Sequence, residues 1–415
     1  MKNILATIQA KIVRLGVMLY YYVYRPLKIR QIRHKKCIKV GFVIGCLSAW
    51  KTESLYLMML KHERFSPMLL VMETREENDV ENIIAYLKKR NYEYRVVERN
   101  ECLIRKFQAD ILFYQKPYDG ISFKRHSYKL NLYALFCYVA YGFNTVNEKW
   151  GHDNILDNIA WQLYFENESV MGDMRKIMRN KCLNGHVTGL PIMDELLVDK
   201  KQLQDPWKPQ KKMKKRIIWA PHFSINPNGW LVYSTFLNIA DFMLELAHKY
   251  REEVQFAFKP HPLLWYKLSE VWGREKTNAY YQQWATLENT QLEQGKYLGL
   301  FKYSDALIHD CGSFTVEYHY TLNPVMYIVK DEHHADNQTS FGKKAFELHY
   351  KAYTMQDIEH FIQNVITGQD EKKAERIKFY QEELLPPHGK SACENIIDTI
   401  LQALSITSCV KAISR

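Results

Sequence analysis

From Ile38 onward the chain alternates short runs of β-branched and aromatic residues with stretches of helical periodicity, and it does so in two series. A strand that is apolar along its whole length is buried on both faces, so it belongs in a parallel sheet covered by helices on both sides. The first series predicts strands at Ile38–Gly45, Met68–Met72, Tyr94–Val97, Ala109–Gln115 and Leu135–Tyr141, with helices over 52–62 and 78–90. The second predicts strands at Arg216–Pro221, Val254–Phe258, Ala306–Ile308 and Val325–Val329. Its helices fall at 230–250, 312–320, 354–367, 370–385 and 392–404, the last opened by the capping-box pattern Ser391-Ala392-Cys393-Glu394. Between the series, Asp199–Arg216 is charged and carries two prolines, the composition of a linker. The expected fold class is α/β: GT-B-like, two Rossmann-like domains facing across a cleft, preceded by an amphipathic helix. The boundaries are 1–36 for a basic segment, 37–198 for the first domain, 199–215 for the linker and 216–405 for the second domain, whose last helix is able to pack back on the first.

The net charge of +11 has one location. Eleven of the 57 Lys and Arg residues lie in the first 52 positions, and no acid occurs before Glu53, so the remaining 46 basic residues equal the 46 acidic ones. A nucleic-acid-binding surface spreads its charge over a domain, so no nucleic-acid partner is expected. The same segment carries an apolar stripe at Ile4, Ile8, Ile12, Leu15, Leu19 and Tyr22, with Pro26 expected to end the helix. Its uncharged run, Leu15 to Tyr24, is too short to span a bilayer. A basic amphipathic helix of this kind suits an anionic membrane surface, and a helix packed on the body with a solvated tail is the alternative. The eight cysteines are scattered with no C-x-x-C pair, as expected of reduced thiols in the cytosol.

Two segments carry the candidate chemistry. Phe258-Lys259-Pro260-His261-Pro262 places a cation and an imidazole at a strand's carboxyl end, where open α/β sheets bind ligands. His309-Asp310-Cys311-Gly312-Ser313-Phe314-Thr315-Val316-Glu317 passes from a strand through a small-residue turn into a helix, an arrangement that favours phosphate. His261 is the expected donor to a pyrophosphate, adding charge when protonated. Lys259 and His222 are further candidates, and Gly312 and Ser313 are expected to cradle a phosphate. Glu317 is expected at ribose hydroxyls, His309 at the cleft wall, and Asp310 in the turn. Cys311 lacks an evident base and is not expected to act as a nucleophile. In the first domain the candidates are Tyr141, Tyr118, His126 and His152, with Trp50 as a possible wall.

Several of these segments resemble a known family. Val187-Thr188-Gly189-Leu190-Pro191 with Asp194, Ile218-Trp219-Ala220-Pro221-His222-Phe223, Lys259-Pro260-His261-Pro262, Ser304 through Ser313, Asn323-Pro324-Val325 and His388-Gly389-Lys390-Ser391 are similar, in order and spacing, to the signatures of the CDP-glycerol glycerophosphotransferases of teichoic acid synthesis. The resemblance covers about 185–400. It implies a GT-B-like fold with the nucleotide donor held mainly by the second domain, and no catalytic metal; the catalytic residues expected from the chain's own residues are His261 and Tyr141. It also implies transfer of glycerol phosphate from CDP-glycerol to a lipid-linked acceptor by a peripheral enzyme on the cytoplasmic membrane face. The family's Trp-His-Gly, which carries its base, is replaced here by Ala140-Tyr141-Gly142, and its Ser-Ser pair by Gly312-Ser313. A tyrosine with a pKa near ~10 is a poor base at neutral pH, so either Tyr141 is activated or another group serves. The alternatives are a nucleotide-sugar glycosyltransferase of the same fold and a non-catalytic nucleotide-binding factor. Glycerol versus ribitol phosphate, the acceptor and the oligomeric state, a homo-oligomer included, stay open.

Overall fold

The computed structural model describes residues 11, 15, 22–72, 79–97, 107–115, 134–147, 152–227, 229, 232–312, 314–330 and 336–405. They form two compact units. One comprises the described residues up to 144, together with 152–194 and 385–405; the other comprises 145–147 and 195–384. The stretch read as a linker folds with the second unit: Trp207 is buried there, and its indole N–H donates to Leu300 O.

The first unit is a seven-stranded sheet of β1 (Ile38–Ile44), β2 (Phe65–Met72), β3 (Tyr94–Val97), β4 (Ile111–Tyr114), β5 (Leu135–Val139), β6 (Gln162–Phe165) and β7 (Gly185–Val187). Their order is β3-β2-β1-β4-β5-β6-β7, and every pairing is parallel. The second unit holds β8 (Lys215–Ala220), β9 (Val254–Phe258), β10 (Thr290–Leu292), β11 (Ala306–His309), β12 (Val325–Ile328) and β13 (Tyr350–Ala352), in the parallel order β10-β9-β8-β11-β12-β13. Each sheet therefore reverses direction once, between β1 and β4 in the first and between β8 and β11 in the second. That reversal opens a crevice at the strands' carboxyl ends.

Aromatic packing stiffens the second sheet just below this crevice. Trp219, Phe258 and Trp284 are fully buried, with ring centroids 5.0–5.4 Å apart. Trp219 and Phe258 each stand three residues before a candidate histidine, so the core fixes where β8 and β9 deliver them.

The basic segment departs from expectation at Pro26, because residues 22–33 are helical through it. Proline removes one helical amide, but tertiary contacts hold this helix. Lys28 is buried against Asp110 at 3.2 Å, Lys35 reaches the same carboxylate at 2.6 Å, and Arg33 Nε donates to Leu404 O. Two of the eleven cations are thus counter-ions of a buried acid. Of the apolar stripe, only Leu15 and Tyr22 lie among the described residues.

Two sequence signatures prove structural. Gly189 has φ +86°, and a Cβ there would stand 3.0 Å from Pro386. Asp194 accepts from the amides of Ala392 and Cys393 at 2.8 and 3.0 Å, capping the helix Ala392–Ser405. The Gly-x-Pro-x-x-Asp segment is thus the seat of the last helix. The capping box is present as well, with Ser391 N and Oγ donating to Glu394 and Glu394 N donating to Ser391 Oγ.

Candidate functional site

His222 follows β8 by two residues, His261 follows β9 by three, and Asp310 through Gly312 follow β11 directly. Because β9, β8 and β11 are consecutive in the sheet, these segments share one edge of the second unit, at its reversal point. The rings of His222 and His261 lie 5.1 Å apart, and Phe223 packs 4.5 Å from the His261 ring.

The two histidines are held in the same way. The amide of Leu263 donates to Nδ1 of His261 at 3.1 Å. The amide of Ser224 donates to Nδ1 of His222 at 3.3 Å, with the Ser224 hydroxyl 2.8 Å from the same atom. A ring nitrogen that accepts from a backbone amide carries no proton, so each neutral ring bears its proton on Nε2 and is a donor there. Protonating Nδ1 would set two N–H groups against each other. Burial lowers both groups further, His222 to about 3 with the His261 charge adding to the effect, and His261 to about 4 with Lys259 adding. The sequence allowed a cationic His261; the structure makes both imidazoles neutral donors at physiological pH.

Asp310 is the brace behind them. Its buried carboxylate accepts from the amide of His222 at 2.6 Å and from the amide and hydroxyl of Thr235 at 2.7 and 3.0 Å. Thr235 is the N-cap of the helix Phe236–Lys249, so one carboxylate joins the ends of β8 and β11 to that helix. Burial raises it to about 6 against these donors. This is the turn-shaping place expected of Asp310, reached through the backbone amides of His222 and Thr235. Ser224 and Thr235 were not singled out in the sequence, although Ser234-Thr235 just before the helix is a recognisable capping signal.

His309 is corrected as well. It is the last residue of β11, its ring is fully buried, and Nε2 lies 3.1 Å from Nε2 of His349, whose Nδ1 donates to Ala345 O at 3.0 Å. His309 Nε2 therefore donates to His349, and the ring belongs to a buried cluster rather than a cleft wall. Lys259 is buried and its charge is felt by both His261 and Glu293. Glu317 is buried beside Tyr297, with which it shares a hydrogen bond. Around Gly312 no atom lies within 4 Å of where a Cβ would sit, which leaves its backbone approachable. Cys311 is buried and its thiol pKa is pushed up, in keeping with an inert thiol.

Ser304 and Asp305, at the other end of the same signature, stand at the amino end of β11. There Asp305 accepts from the amide of Arg216 at 2.8 Å, tying β11 to β8, and Ser304 bonds Tyr318 of the helical turn Tyr318–Thr321, so both are structural. In the first unit Tyr141 follows β5 and is 41% exposed. Trp50 is buried among Tyr56, Tyr86 and Tyr92. Ser313, Tyr118 and His126 lie outside the described residues.

No protein-family model and no curated protein matches the chain. Solved structures do. A variant of the wall teichoic acid polymerase TagF aligns at TM-score 0.60 and 15% identity, over 94% of this chain and 93% of that one. A UDP-GlcNAc 2-epimerase from Neisseria meningitidis, bound to UDP-GlcNAc, aligns at TM-score 0.54 and 15% identity, over 88% and 100%. A glycosyltransferase from Rickettsia africae aligns at TM-score 0.51 and 11% identity, over 90% and 100%. At these identities the likeness is one of fold. The chain has two parallel-sheet α/β units of the GT-B kind.

Proposed function

We propose that the chain is a transferase of cell-surface polymer synthesis that moves glycerol phosphate, or a related polyol phosphate, from a CDP-alcohol to a membrane-linked saccharide or polyol-phosphate acceptor. The acceptor hydroxyl oxygen bonds to the phosphorus that carries the polyol. The bond from that phosphorus to the bridging oxygen breaks, its electron pair leaves with CMP, and the hydroxyl proton passes to a base on the acceptor side. The observation that carries this reading is the pair of neutral imidazoles at neighbouring strand ends, each offering an Nε2–H beside the reversal point of the sheet. Fixed donors of this kind stabilise developing phosphate charge without reorganising. The sequence resemblance supports CDP-glycerol as the donor, and the fold likeness extends to TagF soaked with CDPG, at TM-score 0.57.

The test is incubation with CDP-glycerol and a lipid-linked acceptor, following CMP by chromatography. CMP release that is lost in His261→Ala supports the reading; no release by the wild-type protein overturns it. The likeness to an epimerase bound to UDP-GlcNAc supports a second reading, a nucleotide-sugar transferase. In that case a UDP-sugar displaces bound CDP-glycerol and is itself consumed. Nucleotide binding without turnover of either donor marks a non-catalytic factor.

Attachment to the inner membrane face belongs to the same proposal. No described helix is long and apolar enough to cross a membrane. The helix over 22–33 leaves Val23 70% and Leu27 63% exposed next to its cations. Co-sedimentation with anionic vesicles, lost in Leu27→Glu, is the check.

A further inference from the structure

Glu166 is the first residue after β6, and its side chain is almost wholly buried. One carboxylate oxygen, Oε1, accepts from both nitrogens of Asn144, the backbone amide and Nδ2, each at 2.9 Å. The other, Oε2, is buried and meets no hydrogen-bond partner among the described residues. Burial raises the carboxyl to about 7 against its own amide and the Asn144 donors. A half-satisfied buried carboxylate is less stable than an amide or an apolar group of similar shape. Groups of this kind concentrate where function needs them.

What Glu166 holds is the turn that presents Tyr141. β5 is an interior strand ending at Val139, so residues 141–144 lie at the carboxyl end of the first sheet, the edge at which such sheets take ligands. Tyr141 is exposed in this turn, and no atom lies within 4 Å of a Cβ built on Gly142. A cavity of about 20 Å³, room for about one water, adjoins it and is lined by Ala140, Asn144 and His152 among others. Directly after Asn144 the chain passes into the second unit.

We propose that Glu166 is a positioning residue for the transfer reaction: by gripping both nitrogens of Asn144 it fixes the 141–144 turn, and with it Tyr141, on the acceptor side. The proposal rests on the reading of Tyr141 as an acceptor-side residue. It excludes a role for Glu166 in holding the nucleotide, which belongs to the second unit.

The experiment compares Glu166→Met, which keeps the length and removes the acceptor, with Glu166→Gln, which restores an acceptor without the charge, and with Asn144→Ala. Three quantities are read: amide exchange of peptides spanning 141–144, turnover, and CDP affinity. Glu166→Met should speed exchange and lower kcat by about tenfold or more, the factor that one lost hydrogen bond to a charged acceptor supplies, while the CDP dissociation constant stays within about twofold. Glu166→Gln should restore both to within about threefold of wild type and raise Tm, because the buried charge is gone. Asn144→Ala changes a partly exposed residue, keeps the fold, and should also speed exchange; it decides the question if Glu166→Met does not fold. Unchanged exchange in Glu166→Met or Asn144→Ala overturns the proposal. So does Glu166→Gln being as impaired as Glu166→Met, since charge rather than grip would then matter. Exchange is read without substrate, so it decides this point even where CDP-glycerol proves the wrong donor.

Discussion

Replacing Asp310 with Asn separates the brace from the fold. The carboxylate accepts three hydrogen bonds, from His222 N, Thr235 N and Thr235 Oγ1, and is 1% exposed. An amide has a single acceptor oxygen. Turned toward Thr235, it keeps two bonds and sets its NH2 against the His222 amide. A lost buried hydrogen bond to a charged acceptor costs about 1.5–3 kcal/mol. The substitution also removes a buried charge. Burial raises Asp310 from 3.8 to about 6, and a gap of about two pH units is worth roughly 3 kcal/mol against the ionised form. That figure is already net of the hydrogen bonds to the carboxylate, and in the variant the NH2 group set against the His222 amide offsets it, so the stability of Asp310→Asn at pH 7.5 should stay within about 2 kcal/mol of wild type. The sign follows from the raised pKa: the folded state binds the extra proton between pH 3.8 and about 6, so this contribution is complete below 3.8 and lost as pH rises through 6. Wild type should therefore lose roughly 2.4 kcal/mol relative to the variant from pH 4 to pH 7. The His222 amide is released meanwhile, and CDP affinity should fall about tenfold. Urea unfolding across that pH range and titration calorimetry with CDP are the assays. A variant that loses more than about 4 kcal/mol at pH 7.5, or that binds CDP as wild type does, removes Asp310 from this bracing position.

Gly189→Ala puts a side chain at φ +86° and a Cβ 3.0 Å from Pro386 and 3.1 Å from Ala392; it should cost about 2–4 kcal/mol in urea unfolding, and an unaltered midpoint would show that the last helix does not seat there. Gly312→Ala meets open space, so Tm should not move while CDP affinity drops about tenfold, and equal affinity would remove Gly312 from the phosphate contact. Both candidate histidines are depressed, so their neutral forms contribute stability in full above pH 6.5, lost as pH falls toward 4 for His261 and 3 for His222 at up to about 1.4 kcal/mol per pH unit each. The terminal phosphate of CDP gains a proton near pH ~6, so with neutral rings CDP affinity should stay level or fall as pH drops from 8 to 5.5, whereas a rise on acidification would mean that the rings bind as cations.

Both sheets were legible because apolar runs such as Ile111–Tyr114, Leu135–Val139 and Val325–Ile328 have one physical reading. The strands that escaped are β6, β7, β10 and β13. Three of these are only three residues long, and Thr290–Leu292 and Tyr350–Ala352 are edge strands with polar residues in them, the usual character of an edge. Glu166 went unnoticed with β6. His222 and His261 could be found from the rule that ligands meet strand carboxyl ends, but their neutrality could not, since it depends on the Ser224 and Leu263 amides. His309 stood one residue too early: as the last strand residue its ring enters the buried cluster with His349. Pro26 misled because Lys28, Lys35 and Asp110 hold the helix from outside, over a sequence distance that local rules ignore.

Calorimetric titration of CDP and CMP into wild type, His222→Ala and His261→Ala tests most directly whether two neutral imidazoles grip a nucleotide's diphosphate. CDP should bind at least about tenfold more tightly than CMP, and each substitution should cost about tenfold for CDP but less than about threefold for CMP. Equal losses for the two nucleotides, or none for either, would contradict it.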